Sequence, residues 1–276
     1  GFNSFFSDSV DGPVPQLDRY EFRRKLGEGK FGEVWLAGDK LLERLVAIKL
    51  AHPLHLPNPA DTRILIAEAR SLAAMTHPNI IDVYDLGETS EGRFYIVSRF
   101  VDGCDLSQIL KRGLRDFEFT LEIIATVAEA LDSAHKRGFV HRDIKPANIL
   151  IDDATQRPFL ADFGLAQRES DILSNSQLAG TPLYMSPEQV RAGSSRLDGR
   201  SDVFSLGCVL YQMVTGVHPF TGKTTNDVLS AIVNSSPIPP QSLNDAIPDD
   251  LEQICLKALQ KDPSERFATA GEMAEA

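Results

Sequence analysis

Several residues of this chain have types and spacings that could do chemistry. They are three glycines at 27, 29 and 32, Lys49 inside an apolar run, the stretch His141-Arg142-Asp143-Ile144-Lys145-Pro146-Ala147-Asn148, and Asp162. Gly27, Gly29 and Gly32 carry no side chain that would hold backbone N–H groups away from a phosphate. A plain glycine-rich hairpin has the same spacing. So has a dinucleotide fingerprint, but that motif must open a helix, and here Val34-Trp35-Leu36 follows in a strand pattern. Lys49 sits within the β-branched run Leu45–Leu50, where an ammonium is costly unless paired or solvated at a sheet edge, and Glu68 is a plausible partner. Asp162 follows the apolar Phe159-Leu160-Ala161 and precedes Phe163-Gly164, a setting that suits either a hard cation or a simple turn.

The elements that must position these residues change character along the chain. Residues 1–17, with Gly, Asn, Ser, Asp and two prolines, read as a flexible arm or linker. From Tyr20 to Val101 the pattern is mostly strand, with runs around Leu26, Val34-Leu36, Leu45-Leu50, Ile80-Val83 and Phe94-Val97. Asp61–Met75 is the exception, with Ile64, Leu65, Ala69, Leu72 and Ala73 at helical spacing. After Asp102-Gly103 the pattern turns helical, with amphipathic runs over Leu121–Lys136, Val203–Thr215 and Leu251–Leu259.

The chain has 276 residues, 42% hydrophobic and 24% charged, enough for one bilobed unit or two small domains. A net charge of −11 makes nucleic acid a poor partner. Cys104, Cys208 and Cys255 form no C-x-x-C pair, which argues against a zinc site or disulfide framework and fits a reducing compartment. No run reaches the roughly 18 apolar residues a membrane helix needs, so no membrane contact is expected of this segment. The last residues read as a trimmed helical domain, and the expected location is the cytoplasm, either alone or as part of a longer membrane-anchored protein.

Five motifs in one order then carry a resemblance: Gly27-Glu28-Gly29-Lys30-Phe31-Gly32-Glu33-Val34, Val46-Ala47-Ile48-Lys49, His141 to Asn148, Asp162-Phe163-Gly164 and Ser186-Pro187-Glu188. Over about Tyr20 to Ala270 the chain resembles the Ser/Thr protein kinases, in texture the bacterial ones. The resemblance implies an α+β, bilobal protein-kinase-like fold. A small antiparallel-sheet N-lobe with one main helix would occupy residues 18–98, a hinge 99–104, and a larger, mainly helical C-lobe 105–276. It implies ATP and Mg²⁺ as cofactors and transfer of the γ-phosphate to serine or threonine of a protein substrate, as Lys145 followed by Pro146 is the form seen in Ser/Thr kinases.

By the same resemblance, Asp143 accepts or orients the substrate hydroxyl proton and Lys145 neutralises the moving phosphate. Lys49 meets the α- and β-phosphates, held by Glu68, while Asn148 and Asp162 take Mg²⁺. Gly27, Gly29, Lys30, Phe31 and Gly32 cover the phosphates. Val34, Ala47 and Leu150 sandwich adenine, the backbones of Arg99 and Val101 serve its edge, and Asp105 serves the ribose. Leu72, Val83, His141 and Phe163 form a spine, Asp202 ties the catalytic loop to a helix, and Glu188 pairs with Arg266. Arg142 beside Asp143 suits an anion, so phosphorylation at Ser174 or Ser176 is expected to regulate, while Thr181 lines the substrate groove. A transient homodimer for trans-autophosphorylation follows from the likeness to bacterial relatives.

The chain departs from the family pattern at Ser186, where Ala is commoner, at Ser98 in the gatekeeper place, and at Arg99, where a carboxylate is often found. A small Ser98 implies an open back pocket for inhibitors. A catalytically dead scaffold usually lacks one of the key residues, but Lys49, Asp143, Asn148 and Asp162 are all present. A small-molecule phosphotransferase would lack Ser186-Pro187-Glu188 and Gly180-Thr181-Pro182-Leu183-Tyr184. An inactive conformer with Glu68 swung out is compatible with the sequence.

Overall fold

The structure, a computed structural model, describes residues 17–29, 32–52, 75–113, 115–163, 182–191 and 197–276. The helical run expected over Asp61–Met75 lies, but for Met75, outside the described residues, as do Lys30, Phe31, Glu68, Leu72, Ser174, Ser176 and Thr181. The chain divides into two compact units. One comprises the described residues within Gly1–Thr76 and Ile81–Phe100, the other His77–Ile80 and Val101–Ala276.

The first unit is built on a five-stranded antiparallel sheet: β1 (Tyr20–Gly29), β2 (Gly32–Asp39), β3 (Arg44–Ala51), β4 (Val83–Glu88) and β5 (Phe94–Arg99), in the order β1-β2-β3-β5-β4. Side chains alternate across a strand. In β3, Val46, Ile48 and Leu50 are fully buried with Tyr20, Trp35, Ala37 and Val97, while Ala47 and Lys49 take the opposite face. Gly32 is required by the pairing: its φ is +156°, and a Cβ there would sit 1.9 Å from the Leu50 carbonyl oxygen. Buried Asp39 ends β2, accepting two bonds from Arg19 (3.0 and 2.8 Å) and one from Leu41 N (3.1 Å). The turn it anchors carries the exposed Leu41 and Leu42, with exposed Leu45 just beyond in β3. The strand expected around Ile80-Val83 begins only at Val83. Ile80 instead makes an isolated parallel bridge to Leu160 in the second unit, because His77-Pro78-Asn79 turns the chain first.

The second unit has a three-stranded sheet of β6 (Gly103–Asp105), β7 (Ile149–Asp152) and β8 (Pro158–Leu160). Its described helices of six or more residues include α1 (Leu106–Lys111), α2 (Phe117–His135), α4 (Gly199–Thr215), α5 (Thr225–Asn234), α6 (Asp249–Ala258) and α7 (Ala270–Glu275), and the short α3 is Pro187–Val190. α2 begins four residues before the apolar periodicity because Asp116 caps it, accepting from Phe119 N at 2.8 Å. α4 begins at Gly199 behind its cap Asp198 and stops at Gly216, left-handed at φ 77°. Most of α4 is buried on all sides, as befits a helix at the centre of a domain, and α2, α6 and α7 pack against it. Cys208 on α4 and Cys255 on α6 are wholly buried, Cys104 is half-buried, and all three are free thiols.

Candidate active site

The charged stretch from His141 to Asn148 links α2 to β7 and is organised by one carboxylate. Asp202, fully buried in the first turn of α4, accepts from His141 N (2.7 Å) and Arg142 N (2.8 Å) and meets His135 Nε2 at 2.8 Å. The helix N-terminus favours this negative charge. Aiming two successive amides at one acceptor forces Arg142 to φ 67°, a conformation that costs a non-glycine residue about 1–3 kcal/mol. Gln189 holds the same turn from outside, donating from Nε2 to the Arg142 carbonyl at 2.8 Å.

Asp143 comes next in the chain. Its Oδ2 accepts from Lys145 Nζ at 2.6 Å and from Asn148 Nδ2 at 3.1 Å, while the same Asn148 nitrogen reaches the Asp143 carbonyl at 2.7 Å. With its amide nitrogen turned to Asp143, the buried Asn148 has its side-chain oxygen as the atom that can face a cation. Asp162 stands two residues beyond β8 at φ 59°, the second strained residue of the site. Its neighbour Ala161 ties the strand end to the loop: Ala161 N donates to Asn148 O (2.9 Å), and the Ala161 carbonyl meets His141 Nε2 (2.9 Å). The His141 ring lies 4.6 Å from that of Phe163, so these two expected spine residues do meet. Val83 heads β4 in the first unit, and Leu72 is not among the described residues. Asn148 and Asp162 offer two hard oxygen donors, and no group of three or more His, Cys, Asp or Glu fit for a metal occurs among the described residues. So few protein oxygens would suit Mg²⁺ better than a cation that needs a full protein cage.

In the first unit, Gly27 pairs with Val34 and Gly29 with Gly32 at the end of the β1–β2 hairpin where the chain passes from one strand to the other. Unlike Gly32, neither Gly27 nor Gly29 has a left-handed φ, and a Cβ on either would meet nothing within 4 Å among the described residues. Among the described residues nothing requires glycine there, whereas close approach of a ligand would. Val34, Lys49 and Ile96 are cross-strand partners on one sheet face, which Leu36, Ala47 and Ser98 continue. Ser98 Oγ reaches the Ala47 carbonyl at 3.5 Å. Arg99 N is committed to the Asp82 carbonyl at 3.0 Å, so of the expected adenine-facing groups this amide already has a partner. Val101 is buried, Leu150 pairs with Asp105 and Phe159, and Asp105 caps α1, accepting from Gln108 N at 3.1 Å and from Ser107.

Glu188, expected to pair with Arg266, does so through two bonds of 2.7 and 2.8 Å to a guanidinium whose side chain is fully buried. Burial pushes the Glu188 carboxyl up, but the Arg266 and Ser201 bonds outweigh it, leaving the carboxyl below its ordinary range. The buried Arg142 Nε has no hydrogen-bond partner among the described residues. His135 and Gln189 were missed from sequence. Gln189 carried a signal in the Ser186-x-x-Gln189 capping box, now seen with both bonds made, whereas His135 reads as an ordinary helix-end residue.

A family model described as the protein kinase domain matches residues 20–275. The chain therefore belongs to the protein kinase family, and its sheet-rich and helical units have that family's fold. Within the family it is similar to bacterial serine/threonine kinases. It is 43% identical over 268 residues to the serine/threonine-protein kinase PknB of Mycobacterium leprae, a match covering 95% of this chain and 43% of that protein. It is 38% identical to a probable serine/threonine-protein kinase of Clostridium perfringens, covering 93% of this chain and 37% of the relative. The chain thus spans less than half the length of these relatives. Among solved structures, the Mycobacterium tuberculosis PknI kinase domain superposes with a TM-score of 0.74 at 28% identity, over 94% of this chain and 95% of that one.

Proposed function

We propose that this domain binds ATP with Mg²⁺ and transfers the γ-phosphate to serine or threonine hydroxyls of proteins, its own loop included. The observation that carries this is the constellation on Asp143: an ammonium and a buried amide converge on one carboxylate, on a loop strained into place by Asp202. A carboxylate held so can orient an acceptor hydroxyl and take its proton, and Lys145 can move from Asp143 to an incoming phosphate. Asn148 and Asp162 would hold Mg²⁺, which when bound supplies neutralisation of phosphate charge. Lys49, held by Glu68, would serve the α- and β-phosphates, beneath Gly27, Gly29, Lys30, Phe31 and Gly32. Val34, Ala47 and Leu150 would enclose adenine, whose edge falls to the Arg99 carbonyl and the Val101 main chain, since Arg99 N is engaged. Asp105 would serve the ribose only by loosening its cap on α1.

Regulation by phosphate at Ser174 or Ser176 is supported by the buried Arg142 Nε, which has no hydrogen-bond partner among the described residues; Thr181 would line the substrate groove. Trans-autophosphorylation through a transient homodimer is supported by the exposed Leu41, Leu42 and Leu45. A cytoplasmic location, alone or within a longer membrane-anchored protein, is supported by three free thiols and by relatives more than twice as long. No described helix is long and apolar enough to cross a membrane. The test is transfer of radiolabelled γ-phosphate to the chain itself and to a generic basic protein, with Mg²⁺, in wild type and Asp143→Asn. Label on serine or threonine should fall by about 10²-fold or more in the variant while MgATP binding persists. Equal labelling in both would remove Asp143 from the mechanism.

A further inference from the structure

Behind the glycine-rich hairpin, on the sheet face opposite Lys49, lies a charged cluster that the proposed chemistry does not use. Register puts Val34, Lys49 and Ile96 on one face and Glu33, Leu50 and Tyr95 on the other. It also sets Glu28 directly across from Glu33. Like charges directly opposed on neighbouring strands push the strands apart. Three side chains, Lys25 of β1 itself and two from outside the hairpin, counter them. Lys25 Nζ lies 2.6 Å from Glu28 Oε2 and 3.2 Å from Glu33 Oε2. His52 Nε2 meets the Gly29 carbonyl at 3.1 Å and Glu28 Oε1 at 3.8 Å. Arg93, just before β5, donates from Nη2 to Glu33 Oε1 at 2.8 Å and from Nε to the Ala51 carbonyl at 3.0 Å.

The Arg93 bond is the most sheltered of these. Its side chain is 16% exposed and that of Glu33 15%, against 37% and 57% for Lys25 and Glu28. Burial alone would raise the Glu33 carboxyl, yet its bonds to Arg93 and Lys25 hold it below its ordinary range. The backbone of Arg93 is fixed in turn, its N donating to Thr89 Oγ1 at 3.1 Å and its carbonyl accepting from Thr89 N at 2.8 Å. One guanidinium thus bridges the end of β3 and the start of β2, next to Gly32, whose backbone is already pressed against Leu50.

We propose that Arg93 is a positioning residue for the nucleotide phosphates: through Glu33 and the Ala51 carbonyl it fixes the height of the glycine hairpin's N–H groups. The inference rests on the proposed nucleotide binding. Arg93 touches no nucleotide itself; it acts by keeping two opposed carboxylates from spreading the hairpin.

The test compares MgATP with adenosine, which lacks phosphates, by calorimetric titration of wild type, Arg93→Met, Glu33→Gln and the double variant, alongside KM for ATP and kcat. Arg93→Met should weaken MgATP about tenfold and raise KM to match, with adenosine affinity and kcat within about twofold. The double variant should be no weaker than Arg93→Met, since both act through one bond. Arg93→Lys keeps the charge but cannot reach both acceptors, and should fall between; it serves as the readout if Arg93→Met does not fold. Unchanged MgATP affinity, or equal losses for MgATP and adenosine, would overturn the assignment. A wild-type chain that binds neither ligand would remove the nucleotide proposal itself, and this inference with it.

Discussion

Gly27, Gly29 and Gly32 share a residue type but not a reason for it. Gly32 is a steric necessity, with backbone 1.9 Å from where its Cβ would be, whereas a Cβ on Gly27 or Gly29 would meet nothing among the described residues and their φ is ordinary. Single substitutions should separate the two. Gly32→Ala should cost about 3 kcal/mol in urea unfolding, because the clash is with main chain that cannot swing away. Gly29→Ala should leave the unfolding midpoint unchanged and weaken MgATP by about tenfold. A loss of stability in Gly29→Ala would mean that the fold, not a ligand, requires that glycine. At this scale the sequence is most legible where a motif keeps its members close in the chain, as where Lys145 and Asn148 meet Asp143. It is least legible where a residue works through another, as His135 does through Asp202.

The brace between α3 and the turn after α6 belongs to the scale of elements. Ser186 caps α3, Glu188 in its first turn holds Arg266, and Arg266 also donates to the carbonyls of Gln260 and Arg200, joining three segments at one buried guanidinium. Arg266→Met would leave the Glu188 charge buried without its cation, at a cost of about 3–5 kcal/mol at pH 7. The Glu188 carboxyl is held below its ordinary range in the folded chain. Its contribution is therefore complete above the unfolded carboxylate pKa, near 4.3, and is lost as pH falls through the lower folded value. Urea titrations of wild type and Arg266→Met should show a gap that is widest at neutral pH and closes in acid. A gap independent of pH would assign the effect to packing alone. Element types were readable from periodicity, but their starts were not. α2 and α4 begin at Asp116 and Asp198 caps that precede the apolar pattern. Ile80 left the expected strand because a bridge to Leu160, 80 positions later in the chain, claims it. Pairing of that range has no local signature.

At the scale of the whole molecule, the order of motifs carried the family and the fold class, because a fixed succession of strand, loop and helix signals is a stronger constraint than any one of them. What the order could not supply is which side chains close the networks, since Arg93 and Glu33, or Arg266 and Glu188, lie 60 and 78 residues apart. The three thiols are distributed unequally between surface and interior. Burial holds the Cys208 and Cys255 thiols far above the ordinary range at the centre of the helical unit, while Cys104 is half-exposed with a smaller upward push. Only thiolate reacts with a maleimide, so the folded chain should take up a single label, at Cys104, and the unfolded chain three. Mass spectrometry at rising urea would then count, molecule by molecule, how often the helical interior opens. Two or more labels without denaturant would mean that it breathes on the timescale of the reagent. The chain carries a built-in tally of its own unfolding, with no reporter added.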